Sequence, residues 1–441
     1  MSRFFTAEAQ RLRRDTQRVR FLCETLRYLC ASVVKGCFLL LFTTFAIAAK
    51  PISISTNFEG GALGKIEPVN ASHFRCGVKG ESDQDGRNRQ ANWYYFRVDG
   101  AQGKLLTIDM VDLPGEYNYR PNRGAVTGDT LPWYSDDNRH WKQFETAEYQ
   151  ADTPLLRLRI TPRTNQLWIA HVPPYTNQNL QRLLREFKTH PNLQPQAIGK
   201  TVQGRELLLL TITDERVPQA EKKVIWLMFR QHSWEAGSSW AGEGAVRFLL
   251  SSAPTAVIMR QTVIFKIFPL CDPDGVARGG VRFNKHGFDL NRNWDVIDAA
   301  KMPEIAAQRT AILDWVDSGQ RVDLFLSLHN TETSEYLEGP PDNATKEKDY
   351  RALTQRFFKL LSASQTFAPT RPPQFAEAST TPGKSGRMNV IQGLSHDRQL
   401  PAFLIELMIT KHPKLGHQPT PADRQQFGAD LVQAMWQAVG R

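Results

Sequence analysis

A β-sandwich followed by an α/β domain with a mixed, largely parallel sheet is the fold class that this sequence predicts, on three observations. From Pro51 to Val172 the chain consists of short runs, several alternating apolar with polar residues, separated by clusters of Gly, Asn, Asp and Pro. Beyond Pro173-Pro174-Tyr175 the texture changes to continuous apolar runs interleaved with segments of helical period. And 441 residues are more than one core normally organises.

Taken in order, the chain opens with a basic stretch and then CFLLLFTTFAIAA at 37–49, an apolar run too short to span a bilayer that ends in Ala46-Ile47-Ala48. This is the form of a cleavable export signal and predicts a periplasmic or secreted product with no stable membrane span once the leader is removed. WYYFRV at 93–98, LLTIDMVDL at 105–113 and LLRLRI at 155–160 are predicted strands of a sandwich over 50–172. No chemical constellation is visible there, so a packing or substrate-shaping role is expected. A helix is predicted over 176–189, with Leu180, Leu183, Leu184 and Phe187 on one side. Within the second domain, 173–441, strands are expected at ELLLLTIT (206), VIWLMF (224), VIFKIF (263), DLFLSL (323) and AFLIEL (402). Helices are expected near 242–252, 303–317, 346–362 and 421–439, covering the sheet.

The formal charge of +10 does not point to nucleic acid. About half of the excess lies in Arg3, Arg11, Arg13, Arg14, Arg18, Arg20, Arg27 and Lys35, ahead of the apolar run, and the body has no zinc-finger spacing, aromatic RNA-binding signature or basic helix. Beyond the leader only Cys76 and Cys271 remain, which is not a disulfide framework.

In open α/β sheets chemistry collects beyond the carboxyl ends of strands, and the polar residues of interest fall there. His232 and Glu235 follow the strand at 224, spaced so that an imidazole and a carboxylate can converge on one ion. Alone, the pair reads equally as a surface salt bridge. His329 ends DLFLSLH; two His and one Glu would form a zinc site that leaves a position open, if they meet in space. Between them lie Asp272-Pro-Asp-Gly275, Arg282 and Asp289-Leu-Asn291-Arg292-Asn293-Trp294. An Arg-Asn pair suits a substrate carboxylate, because the guanidinium fork binds it bidentately and the amide adds a donor. Glu406 sits inside AFLIELM, where an unpaired charge is costly, so it is either structurally paired or functional.

The order HxxE, PDG, Arg, NRNW, strand-end His, strand-end Glu resembles the M14 metallocarboxypeptidases, and IGKTVQGREL at 198–207 is similar to that family's strand-leading sequence. NFEGG at 57, NWYYFRV at 92 and the DPDGV to DLNRNW stretch most resemble the cytosolic carboxypeptidase, or Nna1-like, subfamily. The resemblance implies one zinc per chain on His232, Glu235 and His329. It also implies Arg282 polarising the scissile carbonyl, Asn291 and Arg292 holding the terminal carboxylate, and Glu406 moving a proton from the attacking water to the leaving amine. The substrate would be the C-terminal peptide or isopeptide bond of a peptide or protein. A murein peptide carboxypeptidase or amidase and a non-catalytic peptide-binding protein are the alternatives.

Two features depart from the family pattern. No tyrosine follows Tyr350, so the family's mobile tyrosine near the catalytic Glu is not expected, and His329 is followed by Asn-Thr-Glu-Thr-Ser, which puts Glu332 or Glu335 on the expected pocket rim. GKSGRMNV at 383–390 falls where the family builds its side-chain pocket; Lys384 and Arg387 there would favour acidic C-terminal residues.

Overall fold

Alternating burial turns the first part of the chain into two facing sheets. In a computed structural model that describes residues 51–117, 119–339, 347–375 and 388–440, one sheet has the spatial order β1 (Ser53–Ser55), β4 (Tyr95–Asp99), β12 (Gln166–Ala170), β8 (Trp133–Ser135), β9 (Lys142–Gln143). The other runs β10 (Glu148–Gln150), β11 (Leu155–Ile160), β5 (Leu106–Val111), β3 (His73–Gly77), β2 (Ile66–Asn70). Leu156 and Leu158 of β11 pair with Met110 and Ile108 of β5, and all four are buried in a core with Phe74, Phe96 and Ile169, as the period of two requires. A hairpin of β6 (Gly115–Tyr117) and β7 (Arg120–Asn122) leaves this sandwich. The predicted leader, 1–49, lies outside the described residues, as do Lys384 and Arg387.

The second sheet system has the order β13 (Leu193–Lys200), β14 (Glu206–Ile212), β16 (Val263–Phe268), β15 (Lys223–Phe229), β17 (Leu324–Thr331), β20 (Ala402–Met408), β18 (Tyr336–Gly339), β19 (Gln374–Phe375). Its centre, β16-β15-β17-β20, is parallel, whereas β13, β14 and β18 pair antiparallel with their neighbours toward the centre. The parallel strands are buried on both faces, which is why they read as unbroken apolar runs. From β15 the chain moves to β16 on one side and then crosses to β17 on the other. The carboxyl ends of β15 and β17 therefore flank a point where the connections diverge, the place where such sheets bind ligands.

The helices among the described residues are α1 (Asn177–Glu186), α2 (Ala236–Leu249), α3 (Pro254–Thr262), α4 (Pro273–Arg278), α5 (Pro303–Asp317), α6 (Glu347–Ser362), α7 (Val390–Arg398) and α8 (Pro421–Val439). α2 begins six residues earlier than the sequence predicts, because Gly237 and the two serines after it weaken the helical signal of its first turn, as Gly242 and Gly244 do further on. Those glycines serve close approach: a Cβ at Gly244 would lie 2.0 Å from the Gln425 carbonyl oxygen, and one at Gly428 of α8 would lie 1.9 Å from that of Ala241. α2 and α8 thus pack backbone to backbone over β15 and β17. The sandwich and the α/β part share one core, in which Trp93, Tyr95 and Ala170 join Leu180, Phe229 and Trp234.

Candidate metal centre

β15 ends in a forced turn. Arg230 adopts a left-handed conformation (φ 64°), sparsely populated by a non-glycine residue, and is held there by its own guanidinium, whose Nε and Nη2 donate to the Ser233 carbonyl at 2.9 and 2.6 Å. The turn delivers His232 and then Glu235, which is the N-cap residue of α2. His329 reaches the same place from the end of β17. Asn330 locks the two elements together, accepting from Ser238 N at 2.9 Å and donating to the Leu407 carbonyl at 3.1 Å.

His232, Glu235 and His329 are all buried, and one ligating atom from each lies within 4.8 Å of the others. His232 Nδ1 is 2.6 Å from Glu235 Oε1, and His329 Nδ1 is 3.0 Å from Oε2. The opposite nitrogens are also engaged. His232 Nε2 meets Asp289 Oδ1 at 3.0 Å, and His329 Nε2 meets Gln231 Oε1 at 3.0 Å. Gln231 cannot present its other end, because its Nε2 donates to the Leu290 carbonyl at 2.8 Å. Each Nε2 thus has an outer acceptor for its proton when Nδ1 binds an ion, the arrangement by which outer groups orient metal-ligating histidines. Two imidazoles and one carboxylate converging in this way fit a zinc ion with one position open.

Charge follows the same geometry. Burial opposes ionisation of Glu235, but His232 and His329 overcome it and pull the carboxyl down to about 2. Burial likewise opposes Asp289, yet Arg282 and His232 hold it well below the usual carboxylate range. His329 is pushed down by burial, so the neutral, ligating form is favoured.

Arg282 is half-buried and donates from Nε to Asp289 Oδ2 at 2.6 Å, with its guanidinium carbon 5.4 Å from the centre of the Tyr117 ring. Asp289 therefore bridges Arg282 and His232, a role that the sequence did not disclose. Arg292 is half-buried; Nη1 donates to the Asn291 carbonyl at 2.7 Å and Nη2 to Tyr117 Oη at 3.4 Å. Asn291 Oδ1 accepts from Val390 N, at the start of α7, at 2.9 Å, and its Nδ2 lies 3.3 Å from His329 Nε2, which offers it no acceptor when that nitrogen carries the proton. Glu406 on β20 is the register partner of His329. Its Oε2 is buried and has no hydrogen-bond partner among the described residues, and burial together with Glu235 pushes its carboxyl well above the ordinary range.

Two expectations need correction. Glu335 is not on a rim: it is fully buried, accepting from Ala368 N at 2.7 Å and paired with His412 at 3.2 Å and Arg424 at 3.4 Å, partners far off in sequence. Glu332 is the half-buried one, within 3.4 Å of Asn92 Nδ2. The sandwich is not chemically silent either: Tyr117, Asn92 and Glu81 reach the α/β residues of the site. The expected segment with Lys384 and Arg387 lies outside the described residues.

Residues 180–380 match the family model described as zinc carboxypeptidase (peptidase M14), and residues 54–172 match that of the cytosolic carboxypeptidase N-terminal domain. An uncharacterized protein of Zymomonas mobilis is 25% identical over 391 residues, covering 86% of this chain and 95% of that one. Mouse cytosolic carboxypeptidase 2 is 28% identical over 329 residues, 69% of this chain; the chain spans only 37% of that protein's length. Among solved structures, metallo-carboxypeptidases from Burkholderia cenocepacia (TM-score 0.72, 23% identity) and Pseudomonas aeruginosa (0.70, 22%) share the fold, each over 87% of this chain and 97% and 98% of theirs. The chain thus carries a peptidase M14 zinc carboxypeptidase domain on the α/β sheet, preceded by a cytosolic carboxypeptidase N-terminal domain that forms the sandwich.

Proposed function

We propose that the chain hydrolyses the C-terminal bond of peptides, with His232, Glu235 and His329 holding zinc and Glu406 as general base and then acid. The observation that carries this reading is the Glu406 carboxylate, whose Oε2 is buried and has no hydrogen-bond partner among the described residues, in register with a histidine of a buried two-His, one-Glu cluster. Zinc, when bound there, supplies a Lewis acid that polarises a carbonyl and acidifies water. Glu406, kept basic by burial and by the neighbouring Glu235, takes the proton of the attacking water and passes it to the leaving amine. Arg282, with Nε tied to Asp289, has its Nη groups left to stabilise the charge that develops on the carbonyl oxygen. Arg292 has donors beyond those given to Asn291 and Tyr117 and holds the terminal carboxylate; Asn291 contributes from its place between His329 and Val390.

A preference for acidic C-terminal residues, resting on Arg387, and export, resting on the run at 37–49, complete the proposal. The test is a set of N-dansylated pentapeptides ending in each amino acid, read by mass spectrometry with and without chelator. Loss of one C-terminal residue that stops on chelation and returns with zinc is expected. No cleavage of any member by the zinc-loaded protein would refute it.

A further inference from the structure

The loop that carries Arg282 and Asp289 rests on the sandwich. Glu81 is fixed in a two-bond bridge with Gln90, N to O at 2.9 Å and 2.8 Å. Its Oε2 accepts three consecutive backbone N–H groups, from Val281 at 2.8 Å, Arg282 at 2.6 Å and Phe283 at 2.9 Å, and its Oε1 accepts from Arg278 Nη2 at 2.5 Å. The loop closes on itself through the Phe283–Asp289 bridge, and its far side is held by the same sandwich segment: Gln84 N donates to the Gly287 carbonyl at 3.1 Å. Gly287 has φ +85°, and a Cβ there would lie 2.5 Å from Gln84 N. Residues 81–84 therefore hold both ends of the segment that places the Arg282 guanidinium between Asp289 and Tyr117.

We propose that Glu81 is a positioning residue for peptide hydrolysis, acting through the backbone of Arg282. The inference rests on the reading of Arg282 given above. Three converging N–H dipoles and a guanidinium favour an anion, and no other side chain among the described residues accepts from these three N–H groups. Without the carboxylate, three N–H groups lose their acceptor and the loop must turn to reach water. A displacement of about 1 Å at a group that stabilises developing charge costs up to about 100-fold in rate. A structural fastener would instead lower stability and leave the chemistry of the folded fraction alone.

The test is a double-mutant cycle on the zinc-loaded full chain, Glu81→Ala and Arg282→Ala singly and together, with Glu81→Gln beside them. Turnover is measured on the fastest-cleaved dansylated pentapeptide, and zinc content and melting temperature on the same samples. Expected are a kcat lower by about tenfold or more for Glu81→Ala with KM changed by less than about threefold, equimolar zinc, and partial recovery in Glu81→Gln. In the Arg282→Ala background Glu81→Ala should add nothing. An equal further fall in that background, or parental kcat in a folded Glu81→Ala protein, overturns the proposal. Parental kcat in Arg282→Ala overturns the reading of Arg282 itself, a separate result. If Glu81→Ala does not fold, Glu81→Gln enters the same cycle with the same outcomes.

Discussion

Asp289→Asn tests the outer shell of the metal centre with a change of a single atom. The carboxylate takes His232 Nε2 at 3.0 Å and Asn291 N at 2.9 Å on Oδ1, and Arg282 Nε at 2.6 Å on Oδ2. An amide has one acceptor oxygen, so whichever way it turns, its NH₂ faces either the His232 N–H or the Arg282 N–H. One charge-assisted hydrogen bond is lost, about 1.5–3 kcal/mol, and the remaining one loses its charge. At about 1.4 kcal/mol per factor of ten, zinc affinity should fall by about 10- to 100-fold if the amide abandons His232, the size reported for outer groups that orient metal-bound histidines. If it abandons Arg282 instead, affinity is kept and kcat falls by a similar factor. Competition against a chelator of known affinity gives the first quantity, and turnover at saturating zinc gives the second. An Asp289→Asn protein that binds zinc and turns over as the parent does would refute the bridging role.

Glu406→Gln should keep zinc and substrate binding, since the side chain is no ligand in this arrangement, and lose about 10²- to 10⁴-fold in single-turnover rate; a zinc-loaded variant at the parental rate would remove Glu406 as base. Gly428→Ala places a methyl 1.9 Å from a backbone oxygen of α2 and should cost about 1–3 kcal/mol by urea unfolding, with weaker zinc binding because α2 carries Glu235; an unchanged midpoint would contradict the packing. His171 is buried, with Nδ1 2.7 Å from the Asn92 carbonyl and Nε2 without a hydrogen-bond partner among the described residues, and burial pulls it down to about 4. Its folded value lies below its unfolded value of 6.5, so its contribution is whole above that pH and is lost as pH falls toward 4, because the unfolded chain takes up the proton first. His171→Gln should therefore flatten the acid branch of stability against pH by up to about 3 kcal/mol; parallel curves for parent and variant would exclude it.

The strands bearing the candidate ligands could be read from the sequence because a parallel strand buried on both faces leaves an unbroken apolar run, and a His or Glu closing such a run stands out. What such reading does not reach is orientation. Gln231 and Asp289 stand beside the ligands in plain view, yet their roles depend on His329, 98 residues from Gln231, and His232, 57 residues from Asp289. Glu335 sits in a polar stretch that reads as surface, and only its pairing with His412 and Arg424 shows otherwise. Tyr117 is not legible as a site residue because it lies on a hairpin of the sandwich, far in sequence from the arginines it meets. α7 carries a single local signal, the Asn389/Gln392 capping box, which does not by itself mark a helix.

The glycine contact between α2 and α8 bears on when the protein becomes a metalloprotein. Glu235 lies at the start of α2, and α2 is seated by a helix that begins at Pro421, nearly two hundred residues later; β17, with His329, has β20 as its outer neighbour. A nascent chain that has made His232 and Glu235 cannot yet hold them in place, since both supports are still to be synthesised. If these residues hold zinc as proposed, its loading would follow closure of the sheet and docking of α8, and a chain cut before residue 421 should be recovered without metal.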